Sequence, residues 1–278
     1  MKTGRQKLWL MALAALYCAS AKAEQYLPDI QRIVDNKKIV VAMTAQDIPP
    51  MVMVNKDGAL AGIDIGLARD IATKLGVPVE FSRKAKSEDG VIRQVAAGQA
   101  DIGISNLSRS VDWASLVLLT KPYLVQTPTV LIGRVKALQR GSPCPSRADL
   151  RQFAEQQPQQ VGVLAGSSYL IGIRRESSKI SPKKFSSLSD MMDALQKGEV
   201  AVTSQGEIIG KYFLRKHPRA AIRFRLCEVD RPDDQLAIAV RPDAPNLLRW
   251  LNVYIETELQ PLDVDQLIND PTLLRTTR

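Results

Sequence analysis

The chain has 278 residues, enough to bury a substantial core as one large domain or two smaller ones. Its 45% hydrophobic and 24% charged content is that of an ordinary globular protein. The formal charge is +9, yet the basic residues are scattered, and no basic face interleaved with aromatics argues for nucleic acid.

Residues 1–23 read as a cleavable secretory signal. Lys2, Arg5 and Lys7 precede an apolar stretch, Leu8 to Leu16, and Ala21-Lys22-Ala23 fits cleavage before Glu24. The apolar stretch is short for a bilayer span, and nothing later resembles a spanning helix, so no transmembrane segment is expected in the mature chain. Cys18 follows Ala15-Leu16-Tyr17, and the aromatic there argues against a lipoprotein signal. A periplasmic protein is expected, whose formal charge falls from +9 to +5 once the four basic residues of the signal are removed. Cys144 and Cys227 then remain, an even count in an oxidising compartment, either as a disulfide or as two buried thiols.

Lys38 to Met43 is a buried-type strand, followed by a Pro49-Pro50 turn and a second strand over Met51 to Val54. Lys56-Asp57-Gly58 has hairpin-turn chemistry, and Gly62-Ile63-Asp64 leads into a helix from Ile65 to Leu75 stopped by Gly76. A strand over Val77 to Phe81 precedes an amphipathic helix carrying Val91, Ile92, Val95 and Ala96, which Gly98 ends. The short strand Ile102 to Ile104 runs into a polar loop, Ser105-Asn106-Leu107-Ser108-Arg109. Lys121-Pro122-Tyr123 then leads to a long strand, Thr127 to Ile132, and the whole stretch reads as one wall of a ligand cleft.

Gln139 to Arg147 is rich in Pro, Ser and Gly and suits the entry to a second lobe. The alternation then restarts with a strand at Val161 to Leu164, the loop Gly166-Ser167-Ser168 and a helix from Tyr169 to Glu176. Leu188 to Gln196 is an amphipathic helix closed by Gly198, with a strand at Glu199 to Thr203 and a helix at Ile208 to Lys216. Strands are expected at Ile222 to Glu228 and Gln235 to Arg241, and a long helix at Pro245 to Leu259. Strands alternating with helices predict an α/β fold with mostly parallel sheets.

These residues resemble the family-3 periplasmic solute-binding proteins, which include the polar-amino-acid receptors of ABC importers. Pro49-Pro50-Met51 is similar to the family's Pro-Pro-aromatic turn, and Gly62-Ile63-Asp64-Ile65-Gly66-Leu67 to its Gly-aromatic-Asp-x-Asp-Leu helix start. Gly98-Gln99-Ala100-Asp101-Ile102 resembles the stretch before the binding loop, Lys121-Pro122-Tyr123 the exit, and Gly166-Ser167-Ser168 the second-lobe loop. The resemblance implies a two-lobed periplasmic binding protein-like (type II) α/β fold, its lobes joined by two hinge strands and closing like a clamshell. Lobe 1 is expected over residues 24–133 and 234–278, and lobe 2 over 134–233.

The family's carboxylate-binding arginine follows a Thr-x-Thr-like loop, which Ser105 to Arg109 matches; counting back from Pro122-Tyr123 without a gap puts that position near Trp113 instead. The resemblance therefore places a small polar, carboxylate-bearing solute on Arg109, Ser105 and Asn106, with Gly166, Ser167 and Ser168 adding backbone N–H groups. The family's ammonium-binding acid falls on Gln205 or Gly206, so the acid is missing or displaced to Glu207. Met51 and Ile63 stand where flanking aromatics are usual, leaving Trp113 as a stacking surface or a core residue and Asp64 as a contact or a helix cap. His217 is the only histidine, and there is no metal-ligand spacing or phosphate-binding loop, so no catalysis, cofactor or metal is expected. The expected partners are a small-molecule ligand and the membrane subunits of an ABC importer, with the protein itself a monomer. The alternatives are an accessory or sensing protein that binds a protein partner and a dehydratase-like enzyme on the same scaffold.

Overall fold

The computed structural model describes residues 26–133, 144–259 and 263–269. The expected signal and most of the segment proposed as the entry to the second lobe lie outside the described residues.

Two five-stranded sheets form the centres of two lobes. The first begins with helix α1 (Pro28–Asp35) and strand β1 (Ile39–Thr44), whose uninterrupted apolar run suits a strand covered on both faces. A short hairpin, β2 (Met53–Val54) and β3 (Leu60–Ala61), precedes α2 (Ile63–Lys74), β4 (Val79–Ala85), α3 (Glu88–Ala96) and β5 (Ile102–Gly103). A single-turn helix, α4 (Val111–Ala114), and β6 (Leu118–Leu119) follow. The sheet order is β4-β1-β5-β14-β6, where β14 is Ala239–Val240 from the far end of the chain, antiparallel to β5 and β6. The last long helix, α10 (Pro245–Glu258), lacks a cap of its own, and the Asp29 carboxylate of α1 serves instead, accepting from the N–H groups of Asn246 at 2.8 Å and Leu247 at 3.1 Å.

The chain crosses between lobes twice, on β7 (Leu124–Gln126) and β13 (Asp234–Leu236), which pair antiparallel with Gln126 opposite Asp234. The second lobe contains β8 (Pro128–Ile132), α5 (Arg147–Gln156), β9 (Val161–Leu164), α6 (Ser168–Glu176), β10 (Lys183–Phe185) and α7 (Leu188–Lys197). It continues through β11 (Val202–Gly206), α8 (Glu207–Lys216), α9 (Pro218–Arg223) and β12 (Arg225–Glu228), in the sheet order β10-β9-β11-β8-β12. A short helix, α11 (Val264–Asn269), lies beyond α10. Cys144 and Cys227 form a disulfide, with Cα atoms 5.5 Å apart, that ties the start of α5 to β12. Among the described residues no helix is long and apolar enough to cross a membrane.

Three expectations change. β8 pairs with β11 and β12, so the second sheet starts at Pro128, before the expected lobe boundary at residue 134. The run from Gln235 to Arg241 is two strands, because the chain must leave the crossing pair before it joins the first sheet. Ile222 belongs to α9 and is 76% exposed; Pro218, with its fixed φ, starts a helical turn that delays the strand to Arg225. Replacing both Cys144 and Cys227 by Ser removes a cross-link over 83 residues and is expected to lower the unfolding free energy by about 2–4 kcal/mol in a urea titration.

Candidate functional site

The lobes meet where the first turn of α3 faces the start of α6. The N–H of Asp89 donates to the Gly166 carbonyl at 3.0 Å, and the N–H of Ser168 donates to Glu88 Oε2 at 3.2 Å. Gly166 has φ 67°, and a Cβ there would sit 2.7 Å from Ser87 Oγ, so only glycine lets the two loops approach this closely. The hydroxyls of Ser108 and Ser168 lie 2.7 Å apart across the junction, and Arg175 of α6 pairs with Asp112 of α4 at 2.6 Å. A cavity of about 20 Å³ remains between the lobes beside Glu88, Thr44 and Ser87, room for a single water, and a larger one of about 240 Å³ lies between Asp47 and Pro49 of the first lobe and α7 and α8 of the second.

The second centre of this junction is Asp234 on the returning hinge strand. Tyr169 Oη donates to its Oδ2 at 2.8 Å, Gln126 Nε2 at 3.0 Å, and the Ser108 hydroxyl donates to it as well. Since Ser108 gives its proton to Asp234, Ser168 donates to Ser108. One hydrogen-bonded chain thus runs from Glu88 through Ser168 and Ser108 to Asp234. A third acid, Asp64, lies under the binding loop: Tyr123 Oη donates to its Oδ1 at 2.7 Å, and the Asn106 N–H to its Oδ2 at 2.7 Å.

No lysine or arginine forms an ion pair with these three carboxylates among the described residues. Burial therefore dominates their ionisation. It pushes Glu88 from 4.5 to about 8, with the charge of Asp234 adding to the rise, and Asp64 from 3.8 to about 7 against the opposing hydrogen bonds of Tyr123 and Asn106. Asp234 is raised by burial too, and the phenols of Tyr123 and Tyr169 are held well above their ordinary value. The junction is a dry, hydroxyl-lined space with a surplus of acid groups.

The residues singled out in the sequence divide into those at this junction and those elsewhere. Ser168 and Gly166 lie in it, and Ser167 caps α6, its Oγ accepting from the Leu170 N–H at 3.3 Å. Ser105 is buried against Thr44, with the two hydroxyls 3.0 Å apart, and Asn106 sits at φ 54° with its Oδ1 buried and unpaired. Arg109 is not brought to Ser105: it lies exposed on the crossing strands, its N–H bonded to the Gln235 carbonyl at 2.7 Å and its guanidinium to Gln235 Oε1 at 3.0 Å. Trp113 is 1% exposed and packs in the core under α3 with Leu107 and Val91. Met51 is also core, not a flank of the cleft. Gln205 lies inside the second sheet, where its side-chain amide fits between Thr203 and the Leu131 N–H. Glu207 starts α8, accepting from the Thr127 N–H at 3.2 Å and pairing with Lys211 at 2.7 Å.

The sequence reading missed Glu88, Gln126, Tyr169 and Asp234 as site residues and had Ser108 only as part of the loop from Ser105 to Arg109. Glu88 opens an amphipathic helix behind Ser87 and looks like a solvated first-turn acid; only the second lobe buries it.

Comparison with known proteins fits this architecture. The model of the bacterial extracellular solute-binding proteins, family 3, matches residues 39–268. The chain belongs to this family. An amino acid ABC transporter substrate-binding protein, AbpA from Streptococcus pneumoniae, solved with L-arginine bound, superposes with a TM-score of 0.70 at 24% identity, over 89% of this chain and 100% of that one. An ancestral amino-acid-binding protein, a precursor of cyclohexadienyl dehydratase, superposes with a TM-score of 0.68 at 22% identity, over 88% of this chain and 95% of that one. These likenesses show the shared two-lobed fold. The membrane-bound lytic murein transglycosylase F of Maricaulis maris is 23% identical over 221 residues, which is 77% of this chain and 46% of that protein. The chain thus spans about half the length of this curated relative.

Glu88 gives a direct pH test. From about pH 4.5 to 8 the folded protein holds a proton on Glu88 that the unfolded chain releases, so stability falls as pH rises through this window. Glu88→Gln keeps an acceptor for the Ser168 N–H without the ionisation. Calorimetry is expected to show the melting temperature falling less between pH 5 and pH 8 in Glu88→Gln than in the parent; equal slopes would contradict the assignment.

Proposed function

We propose that the chain is an exported, periplasmic solute-binding protein whose lobes close over a small solute carrying a positively charged nitrogen, for delivery to the membrane subunits of an ABC importer. The observation that carries this reading is the set of buried carboxylates at the lobe junction, Glu88 and Asp234 above all, with hydroxyl and amide partners but no ion pair among the described residues. An ammonium or guanidinium between them supplies the missing charge and lets both acids ionise inside a low-dielectric space. A solute with a carboxylate alone adds a further acid group to this space, and the Arg109 expected to receive it is engaged by Gln235 on the surface. The proposal therefore replaces the carboxylate-bearing solute of the sequence reading with an amine-bearing one. The L-arginine in the Streptococcus pneumoniae relative supports a cationic group in a cleft of this shape. Closure is then a shift of an open–closed population by the ligand rather than a chemical step, with Tyr169 and Ser168 moving onto Asp234 and Ser108 as the lobes meet.

A second reading is favoured by the match to part of a membrane-bound lytic transglycosylase: the same closure serves a sensing or accessory role toward a protein partner. Recovery of a non-transporter partner on the closed form alone distinguishes it.

The test is a thermal-shift screen of amines, amino acids, guanidines and simple carboxylic acids. A ligand at about 100 times its dissociation constant stabilises the fold by about 2.7 kcal/mol. Amine-bearing solutes are expected to give the shifts, larger at pH 8 than at pH 6 because Glu88 must first release its proton. Asp234→Asn and Glu88→Gln are expected to weaken the same ligand by about 1.5–3 kcal/mol each. Shifts from carboxylic acids without a basic nitrogen, and none from amines, would sink the reading.

A further inference from the structure

The second lobe contains a cavity beside the lobe junction, with Tyr169 on the wall between them. Between α5, α6 and the sheet lies a narrow slot of about 70 Å³, walled by Phe153, Ile173, Ile180 and Val202. It opens into a groove of about 610 Å³. Arg147, Arg151, Glu176 and Arg231 line both, and Arg175 joins them in the groove, so four arginines surround a single glutamate.

Three of these arginines have acidic partners. Arg147 pairs with Glu176 at 2.5 Å, Arg151 with Glu155 at 3.1 Å, and Arg175 with Asp112 of the first lobe at 2.6 Å. Arg231 has no hydrogen bond or ion pair among the described residues, although it is only partly exposed. Its guanidinium lies against Gly172 in the middle of α6, where a Cβ would come within 2.9 Å of Nη2. Glycine is a poor choice for a helix interior, and here it leaves space for a guanidinium that serves no ion pair among the described residues.

An unpaired guanidinium is a planar fork that fits a carboxylate through two parallel hydrogen bonds, and neighbouring arginines deepen the positive field. The adjoining slot is apolar and wide enough for a slim chain. We propose that slot and groove together form a second binding site, separate from the lobe junction, for a small amphipathic carboxylate: acid group on Arg231 at the mouth, short unbranched tail among Phe153, Ile173, Ile180 and Val202. The site is built within one lobe and touches the other elements only through Tyr169, whose Oη bonds Asp234, and the Arg175–Asp112 pair at its edge.

Hexanoate, acetate and hexylammonium serve as probes in a titration of the full chain followed by amide proton–nitrogen spectra. Hexanoate is expected to shift the amides of residues 150–154 and 172–174 and to saturate. Acetate is expected to bind at least tenfold more weakly, and hexylammonium to leave these amides in place. Arg231→Gln is expected to weaken hexanoate about tenfold; Arg151→Gln, at an exposed position that folding tolerates, gives a smaller loss. The proposal is overturned if acetate binds as tightly as hexanoate or if hexanoate shifts only amides around Glu88 and Asp234. Unchanged affinity in both arginine variants overturns it too. None of these readouts depends on which solute enters the lobe junction.

Discussion

A carboxylate removed from water needs donors or a cation, and the junction of the two lobes supplies donors alone. Asp234 receives protons from Gln126 on the other crossing strand, from Tyr169 in the second lobe and from Ser108 in the first. The groups that solvate this one side chain therefore come from both lobes and from the neighbouring crossing strand, and Gln126 extends the network into the second lobe by accepting from the Ile208 N–H at 3.1 Å.

Glu88 adds a second condition. Among the described residues its donor is the Ser168 N–H of the opposite lobe, which is too little for an ionised group at 4% exposure. Below about pH 8 it holds a proton. Asp64 is a different case: Tyr123 and Asn106 fix it within the first lobe, where it braces the binding loop against α2 and the approach to the hinge.

Membership of family 3 fixes the architecture more firmly than the contents of the cleft. The loop after β5 keeps the family's small hydroxyl residues, yet the position counted back from Pro122-Tyr123 is occupied by Trp113, which fills the core under α3. Arg109, the nearest cation, follows the chain outward to Gln235. The buried acids of α3 and the hinge strand, not a cation of the loop, therefore lie where the lobes meet.

The sequence alone determined the alternation of strands and helices, because apolar periodicity and glycine or proline stops are local signals. Val91, Ile92 and Val95 mark α3, Gly198 ends α7 in the left-handed conformation, and the run from Ile39 to Thr44 reads as a covered strand. It also carried the order of family motifs, and hence the two-lobed fold. Only the tertiary structure decided which polar residues meet. Glu88 and Ser168 are 80 residues apart, and Tyr169 and Asp234 65, and no local pattern distinguishes them from exposed helix-start residues. Arg109 and Trp113 show the converse: adjacent to the loop in sequence, they part in space because one follows the surface and the other the core. Burial is a property of what packs on top, and here it is the second lobe that does so.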